Sequence, residues 1–164
     1  MINCPSVSYT TNLENVWDAE INIGKYTSIA DRCRVVTASH PSLTHNTISN
    51  YPFYERHKMT DYPRCKKKGV INIGNDVWIG DSVTLVGDLV IRDGAIIGAG
   101  SVVAKNVEPY SIVVGNPAQI IRHRFTQDQI LFLLKIKWWE WNHTLIRERI
   151  KDFLDIDRFI QKYG

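Results

Sequence analysis

Aliphatic residues recur at every sixth position through the middle of this chain, with smaller and polar residues between them. A second small or aliphatic residue follows four positions after most of the leading ones. A period of six matches neither the turn of an α-helix, at about 3.6 residues, nor the alternation of a simple β-strand. The leading positions are Ile23, Ile29, Val35, Ile73, Ile79, Leu85, Ile91, Ile97 and Val103. From residue 77 the following positions are Val77, Val83, Leu89, Ala95, Ser101 and Val107.

This period is typical of short strands separated by tight turns and wound into a solenoid of triangular cross-section. The leading aliphatic side chains would then stack from coil to coil. A buried parallel sheet of an α/β protein is the alternative, but it requires crossover connections of about a dozen residues or more. No gap of helix length separates the hexads between Ile73 and Val107. The sequence therefore predicts an all-β parallel β-helix, for which the usual crossover rule by itself favours a right-handed coil.

One long insert interrupts the hexads. It runs from about residue 40 to residue 69 and is rich in Pro, Asn, His, Tyr and basic residues. Loops of this length inside a compact domain are usually functional. Upstream, residues 2–20 keep the register poorly, which predicts a degenerate first coil or a cap. We therefore assign residues 1–124 to one β-helical domain that carries an inserted loop.

Helical periodicity replaces the hexads in the last quarter of the chain. Thr126 and Gln129 have the spacing of a capping box, and further helices are predicted to begin at Asn142 and near Asp155. Residues 125–164 are thus predicted to form a helical tail. Its apolar stripe is expected to pack against the solenoid and seal the open end. The stripe consists of Ile130, Leu133, Leu134, Trp138 and Trp141.

The composition argues against several classes of protein. The chain has 164 residues and a formal net charge of +3, which does not by itself indicate nucleic-acid binding. No segment approaches the ~20 apolar residues that span a bilayer. Residues 1–11 lack the basic start and apolar run of a secretory signal. The three cysteines form no C-x-x-C pair, so we expect no disulfide framework, no zinc knuckle and a cytoplasmic location.

Four segments of the sequence resemble a known family. They are IGNDVWIGDSV, IIGAGSVVAKNV, VEPYSIVVGNPAQIIRHRF and KIKWWEW. Together they resemble the type B xenobiotic acetyltransferases, the chloramphenicol and streptogramin enzymes within the hexapeptide-repeat acyltransferases. The resemblance covers residues 21–141. It implies a left-handed parallel β-helix, a homotrimer with active sites between subunits, and acetyl-CoA as co-substrate without a metal.

The resemblance also assigns the catalytic residue. The run TASHPSL places His40 where the family carries its catalytic histidine, and it is also similar to the corresponding run of sugar acetyltransferases. A hydroxyl group has too high a pKa to attack a thioester unaided, and an imidazole can remove its proton as attack begins. Backbone N–H groups or a polar side chain would stabilise the oxyanion. The alternative is that His40 is a loop residue without chemistry.

Cofactor contacts are implied at matching positions of the same family. Trp78 matches a tryptophan along the pantetheine channel, and Arg122 matches a basic residue near the adenosine phosphates. Lysine and arginine suit phosphate oxygens because they donate charged hydrogen bonds. For Gly80 and Ala99 the alternative explanation is tight packing at corners, which is compatible with a cofactor contact, and for Lys105 it is a solvated charge. The full implied set is Trp78, Gly80, Ala99, Ala104, Lys105 and Arg122.

The acceptor is predicted to be a sugar hydroxyl or a surface-polysaccharide precursor. Asp18, Tyr51 and Phe53 match acceptor-side positions, whereas the loop after His40 departs from the antibiotic-acetylating pattern. The alternatives are an antibiotic O-acetyltransferase, a nucleotide-amino-sugar N-acetyltransferase and a non-catalytic β-helical scaffold. A basic run in the insert either contacts an anionic ligand or forms a solvated face. It comprises Arg64, Lys66, Lys67 and Lys68.

A zinc site is an alternative role for the histidines of the insert, because the same fold includes the γ-type carbonic anhydrases, which bind zinc through three histidine ligands. His45 lies five positions after His40, but no histidine precedes His40 to supply a third ligand. That interpretation also leaves the acetyltransferase-like tail unexplained. The sequence therefore predicts no metal site.

Overall fold

The computed structural model describes residues 1–16, 19–40, 45–65 and 69–164. Its strands fall into three sheets that the chain visits in rotation, so successive coils stack on one another in parallel. Sheet A contains β1 (Ile2–Asn3), β4 (Glu20–Ile23), β7 (Val70–Ile73) and β10 (Leu89–Ile91). Sheet B contains β2 (Tyr9–Thr10), β5 (Ser28–Ile29), β8 (Trp78–Ile79), β11 (Ile96–Ile97), β13 (Ser111–Val114) and the antiparallel β14 (Gln119–His123). Sheet C contains β3 (Leu13–Asn15), β6 (Cys33–Val36), β9 (Thr84–Val86) and β12 (Val102–Val103).

The leading aliphatic residues of the hexads form three stacks inside the coils. Ile79 pairs with Ile29 on one side and Ile97 on the other, and all three are fully buried. The corresponding stacks on the other two sheets are Ile23–Ile73–Ile91 and Val35–Leu85–Val103. The predicted core and the predicted arrangement of parallel coils are therefore confirmed.

The long insert leaves and rejoins the coils at one corner, between sheets C and A. β6 ends at Val36 and β7 begins at Val70, yet β7 pairs with β4 in unbroken register. Thr37 and Gly69 meet at the base of the insert, where a Cβ on Gly69 would lie only 2.6 Å from the Cβ of Thr37. Only glycine fits this close approach. The insert therefore replaces a tight corner without displacing the coils, and it carries one short helix, α1 (Phe53–His57).

The first coil explains why the sequence register is weak before residue 20. β1, β2 and β3 pair in parallel with β4, β5 and β6, so the segment forms a coil, as predicted. Its residues lie 19 or 20 positions before their partners, whereas the coils between β7 and β12 repeat every 18. One or two additional residues are thus absorbed in its turns. The coil exposes Ile2 and Tyr9 and caps the stack.

The helical tail begins and ends much as predicted. Its helices are α2 (Gln127–Ile136), α3 (His143–Arg149) and α4 (Ile156–Tyr163). The capping box of Thr126 and Gln129 is present, and the side chains of Asn142 and Asp155 cap the next two helices. Two short 3₁₀ segments, Trp138–Glu140 and Ile150–Leu154, connect them. Among the described residues no helix is long and apolar enough to cross a membrane.

The tail packs along the corner between sheets A and B, whereas the sequence predicted a cover over the open end of the solenoid. The corner is built from four residues with positive φ, one in each of the last four coils: Tyr26, Asp76, Gly94 and Tyr110. The ring of Trp138 lies 5.0 Å from that of Tyr26, and Lys25 forms an ion pair with Glu140. Tyr26 and Tyr110 thus give the tail aromatic rings in two different coils, and the apolar side chains of the tail cluster with them.

Candidate active site

A cleft of about 500 Å³ lies at the base of the insert. Both arms of the insert contribute to it, because the residues that follow β6 face those of α1 and of the returning segment. Its polar side chains include a histidine, a carboxylate and a guanidinium within one concave surface. The residues that line it are Ala38, Ser39, His40, Pro52, Glu55, Arg56 and Cys65.

A hydrogen bond to the backbone of Asn50 determines which nitrogen of the His40 ring carries the proton. Its Nδ1 lies 2.7 Å from the backbone oxygen of Asn50. A carbonyl oxygen only accepts, so we assign the proton of the neutral ring to Nδ1, which leaves the lone pair on Nε2. The ring is exposed in the cleft. The arrangement suits a general base that removes a proton from a bound molecule through Nε2.

The polar wall opposite His40 was not predicted from the sequence. Glu55 Oε1 accepts a hydrogen bond of 2.8 Å from the backbone N–H of Cys65, which ties α1 to the returning arm of the insert. Arg56 is exposed beside it. Ser39 Oγ is buried at the cleft and has no hydrogen-bond partner among the residues that the structure describes. A proline before Phe53, with Glu55 in the first turn, was the available sequence signal for this helix.

Tyr51 and Phe53 brace the insert next to the cleft. Their rings lie 4.9 Å apart, Phe53 also contacts Tyr62, and the Tyr51 hydroxyl is 3.1 Å from Nε2 of His57. This cluster adjoins Asn50, whose carbonyl orients His40. Acceptor contact by Tyr51 and Phe53 stays a prediction. Of the other predicted ligand positions, Asp18 and residues 66–68 lie outside the described residues.

Two of the predicted cofactor residues lie in one row on the outer face of sheet B. Trp78 is 53% exposed on β8 and pairs with Ile96, which pairs in turn with Ile112 and then with Arg122 on β14. Three strand spacings of about 4.8 Å separate the ends of the row, which places Trp78 and Arg122 about 14 Å apart along the sheet. One end of the row therefore carries the exposed indole of Trp78, and the other end carries the guanidinium of Arg122.

The remaining predicted cofactor residues occupy two corners. Gly80 and Ala99 meet between sheets B and C, where a Cβ on Gly80 would lie 2.7 Å from the backbone nitrogen of Ala99. Ala104 and Lys105 are exposed after β12, at the corner from which the insert leaves. Among the described residues that line the His40 cleft, none belongs to the predicted cofactor set. In a single chain the His40 cleft and the row of Trp78 and Arg122 therefore share no residue.

Comparisons with known proteins show which family this chain belongs to. Residues 71–105 match the family described as bacterial transferase hexapeptide (six repeats). The chain is also 40% identical over 165 positions to the "Probable macrolide acetyltransferase" of Lysinibacillus sphaericus, an alignment that covers 94% of this chain and 87% of that protein. This chain belongs to the hexapeptide-repeat acetyltransferases. The prediction that it is an enzyme of the acyltransferase class is confirmed.

Other members of the family match over shorter lengths. The chain is 38% identical to a chloramphenicol acetyltransferase of Agrobacterium fabrum, over 73% of this chain and 59% of that one. It therefore spans less than two thirds of that relative. A solved structure of a maltose O-acetyltransferase from Clostridium difficile 630 matches with a TM-score of 0.51 and 28% identity, over 70% of this chain and 57% of that chain.

Within residues 1–16, 19–40, 45–65 and 69–164, no group of three or more His, Cys, Asp or Glu side chains is placed to hold a metal ion.

Proposed function

We propose that this acetyltransferase transfers an acetyl group from acetyl-CoA to a hydroxyl group, with His40 as general base. The hydrogen bond from His40 Nδ1 to the carbonyl of Asn50 carries the proposal, because it leaves the lone pair of Nε2 free on a side chain that lines the cleft. The proton of the acceptor hydroxyl passes to Nε2 as its oxygen bonds to the thioester carbon. The tetrahedral intermediate then releases coenzyme A, and the imidazolium returns the proton to the thiolate.

The acceptor that we propose is a sugar hydroxyl, free or in a surface-polysaccharide precursor. The cleft supports this choice because its lining is largely polar, with the exposed guanidinium of Arg56 and the side chains of Ser39 and Glu55 in the same cleft as His40. Neighbouring hydroxyls of a sugar pair well with such donors and acceptors. An antibiotic hydroxyl is the second candidate, and the macrolide relative, aligned over most of both chains, supports it.

The donor is proposed to bind on sheet B of a neighbouring copy in a homotrimer. We also propose that the coils form a left-handed parallel β-helix and that the enzyme is cytoplasmic. The separation of His40 from Trp78 and Arg122 within one chain supports a site completed by a second subunit. Exposed apolar side chains on sheet B and its edge, such as Trp78, Ile120 and Ile121, would be covered in such an assembly. A stable monomeric mass in solution, measured with full activity, contradicts this part of the proposal.

Replacing Arg122 with alanine is expected to raise the KM for acetyl-CoA about tenfold and to leave kcat nearly unchanged. The guanidinium would donate charged hydrogen bonds to the nucleotide phosphates, in the ground state and the transition state alike. Steady-state kinetics with acetyl-CoA as the varied substrate measures the effect. Arg147→Ala, at an exposed arginine of α3, serves as the control. An unchanged KM removes Arg122 from the donor site.

The acceptor class is tested by following acetyl-CoA-dependent release of the coenzyme A thiol. The panel contains free sugars, nucleotide-linked amino sugars, a macrolide, chloramphenicol and a streptogramin. The proposal predicts release with a sugar, whereas release with an antibiotic at higher efficiency selects the second candidate. Release only with amino sugars, to give a product that resists alkaline hydroxylamine, overturns O-acetylation in favour of N-acetylation. If nothing on the panel is acetylated and acetyl-CoA does not raise the melting temperature, the proposed transfer from acetyl-CoA to these acceptors is contradicted.

A further inference from the structure

The peptide group between Asn50 and Tyr51 is held at both of its polar ends. Its carbonyl oxygen lies 2.7 Å from His40 Nδ1, and its N–H, which belongs to Tyr51, donates to Ser49 Oγ at 3.1 Å. The group is trans, so it is planar and its oxygen and hydrogen point in opposite directions. The hydrogen bond to Ser49 therefore restricts rotation of the whole plane, and with it the direction in which the oxygen points.

Ser49 is itself fixed to the rest of the insert. Its carbonyl oxygen accepts one hydrogen bond from Thr47 Oγ1 at 3.0 Å and a second from the Tyr62 hydroxyl. Thr47 acts within the same turn, whereas Tyr62 lies 13 residues beyond Ser49, on the far side of α1. The Tyr62 ring meets that of Phe53 edge-on, with the ring centroids 5.1 Å apart. Tyr62 therefore ties Ser49 to α1, which forms one wall of the His40 cleft.

The ring of His40 depends on this support for its tautomer. The carbonyl of Asn50 is its one hydrogen-bond partner among the residues that the structure describes. A neutral imidazole carries its proton on either nitrogen, and the hydrogen bond made at one nitrogen decides which. If the carbonyl turned away, the proton would redistribute between the two nitrogens. An Nε2 that carries the proton has no lone pair with which to act as a base.

We propose that Ser49 is a positioning residue for His40. Its hydroxyl holds the plane of the peptide group, that plane directs the Asn50 carbonyl at Nδ1, and the carbonyl keeps the ring proton on Nδ1. Tyr62 supports the same arrangement by anchoring Ser49. The effect on the tautomer stands on these contacts alone, whereas the effect on turnover rests on the proposed function of His40 as general base.

The tautomer is measured by NMR of the histidine ring nitrogens, in protein labelled at histidine and held at a pH where the rings are neutral. A protonated ring nitrogen and one with a free lone pair differ widely in chemical shift, and the His40 signals are identified by their loss in His40→Ala. We expect the wild-type ring to carry its proton on Nδ1. In Ser49→Ala, which removes the acceptor of the Tyr51 N–H and adds no atom, the Nδ1–H share is expected to fall and the Nε2–H share to rise.

Two further variants keep the test specific. Ser49→Thr retains a hydroxyl at the same place and is expected to preserve the wild-type tautomer. Tyr62→Phe keeps the aromatic ring and removes only the anchoring hydroxyl. It should shift the tautomer in the same direction as Ser49→Ala but less, because Thr47 still holds Ser49. Ser6→Ala and Tyr9→Phe, at exposed side chains of the first coil, are the matched controls and should leave the ring signals unchanged.

The proposal is overturned if the Nδ1–H share of His40 is the same in the wild type and in Ser49→Ala. It is also overturned if the wild-type ring carries its proton on Nε2, or if Ser49→Thr deviates as far as Ser49→Ala, because the effect would then not follow the hydroxyl. The measurement needs no acceptor, so its result does not depend on the proposed acetyl transfer.

Kinetics separate the positioning role from the role of His40. With an acceptor that supports thiol release, Ser49→Ala is expected to lower kcat about tenfold and to leave the KM for acetyl-CoA unchanged. A changed tautomer with an unchanged kcat supports the positioning role and contradicts His40 as the base. An unchanged tautomer overturns the positioning role whatever the value of kcat.

Discussion

Replacing His40 with alanine is expected to lower kcat by about 10²–10⁴-fold, the usual contribution of a positioned general base. The KM for acetyl-CoA should change little, because His40 lies in a cleft that contains no predicted donor contact. Initial rates of thiol release, with each substrate varied in turn, separate the two effects. Among the predicted changes in activity this is the largest.

His143→Ala is the matched control for this variant. His143 is exposed at the start of α3 and outside the cleft, so its loss should leave kcat and KM unchanged. A His40→Ala enzyme that retains its kcat but loses affinity for acetyl-CoA would reassign His40 to donor binding. A variant with unchanged kinetics would show that a different group removes the proton.

Replacing Leu85 with alanine is expected to lower the free energy of unfolding by about 2–5 kcal/mol. Leu85 is fully buried in the stack between Val35 and Val103, so the truncation leaves a cavity that the flanking coils cannot fill. For a chain of this size the loss corresponds to a fall in melting temperature of roughly 5–20 °C. Calorimetry or circular dichroism measures it.

Leu131→Ala is the control for the stability prediction. Leu131 is 56% exposed on α2, so the same substitution removes little buried area and should change the free energy of unfolding by about 0.5 kcal/mol or less. Equal losses for the two variants would contradict the stacked core, because the effect would then not depend on burial.

Much of the coil region could be predicted from the sequence because its determinants are local. Each hexad contains its own strand and corner, and the aliphatic interval sets which residues meet in the next coil. Ile79, Ile97 and their neighbours consequently pack as the spacing alone indicates. The helix caps at Thr126 and Asn142 could also be predicted from the sequence, since a cap accepts hydrogen bonds from N–H groups within the first turn of its own helix.

The remaining features depend on contacts between distant segments. No spacing rule reveals that the backbone carbonyl of Asn50 fixes the tautomer of His40, or that Glu55 joins Cys65 across the insert. The docking of the tail depends in the same way on Tyr26 and Tyr110, which belong to different coils. The subunit arrangement, which would bring a donor surface to His40, is beyond what a single chain contains and stays a prediction.

The chemistry of the acetylated product tests the central claim most directly. The wild-type enzyme is incubated with acetyl-CoA and the panel member that supports thiol release. The purified product is then treated with alkaline hydroxylamine, which cleaves acetyl esters but not amides. Direct O-acetylation with His40 as base predicts one coenzyme A thiol released for each acetyl group transferred, and complete loss of that acetyl group to hydroxylamine. An acetylated product that resists hydroxylamine would contradict transfer to a hydroxyl.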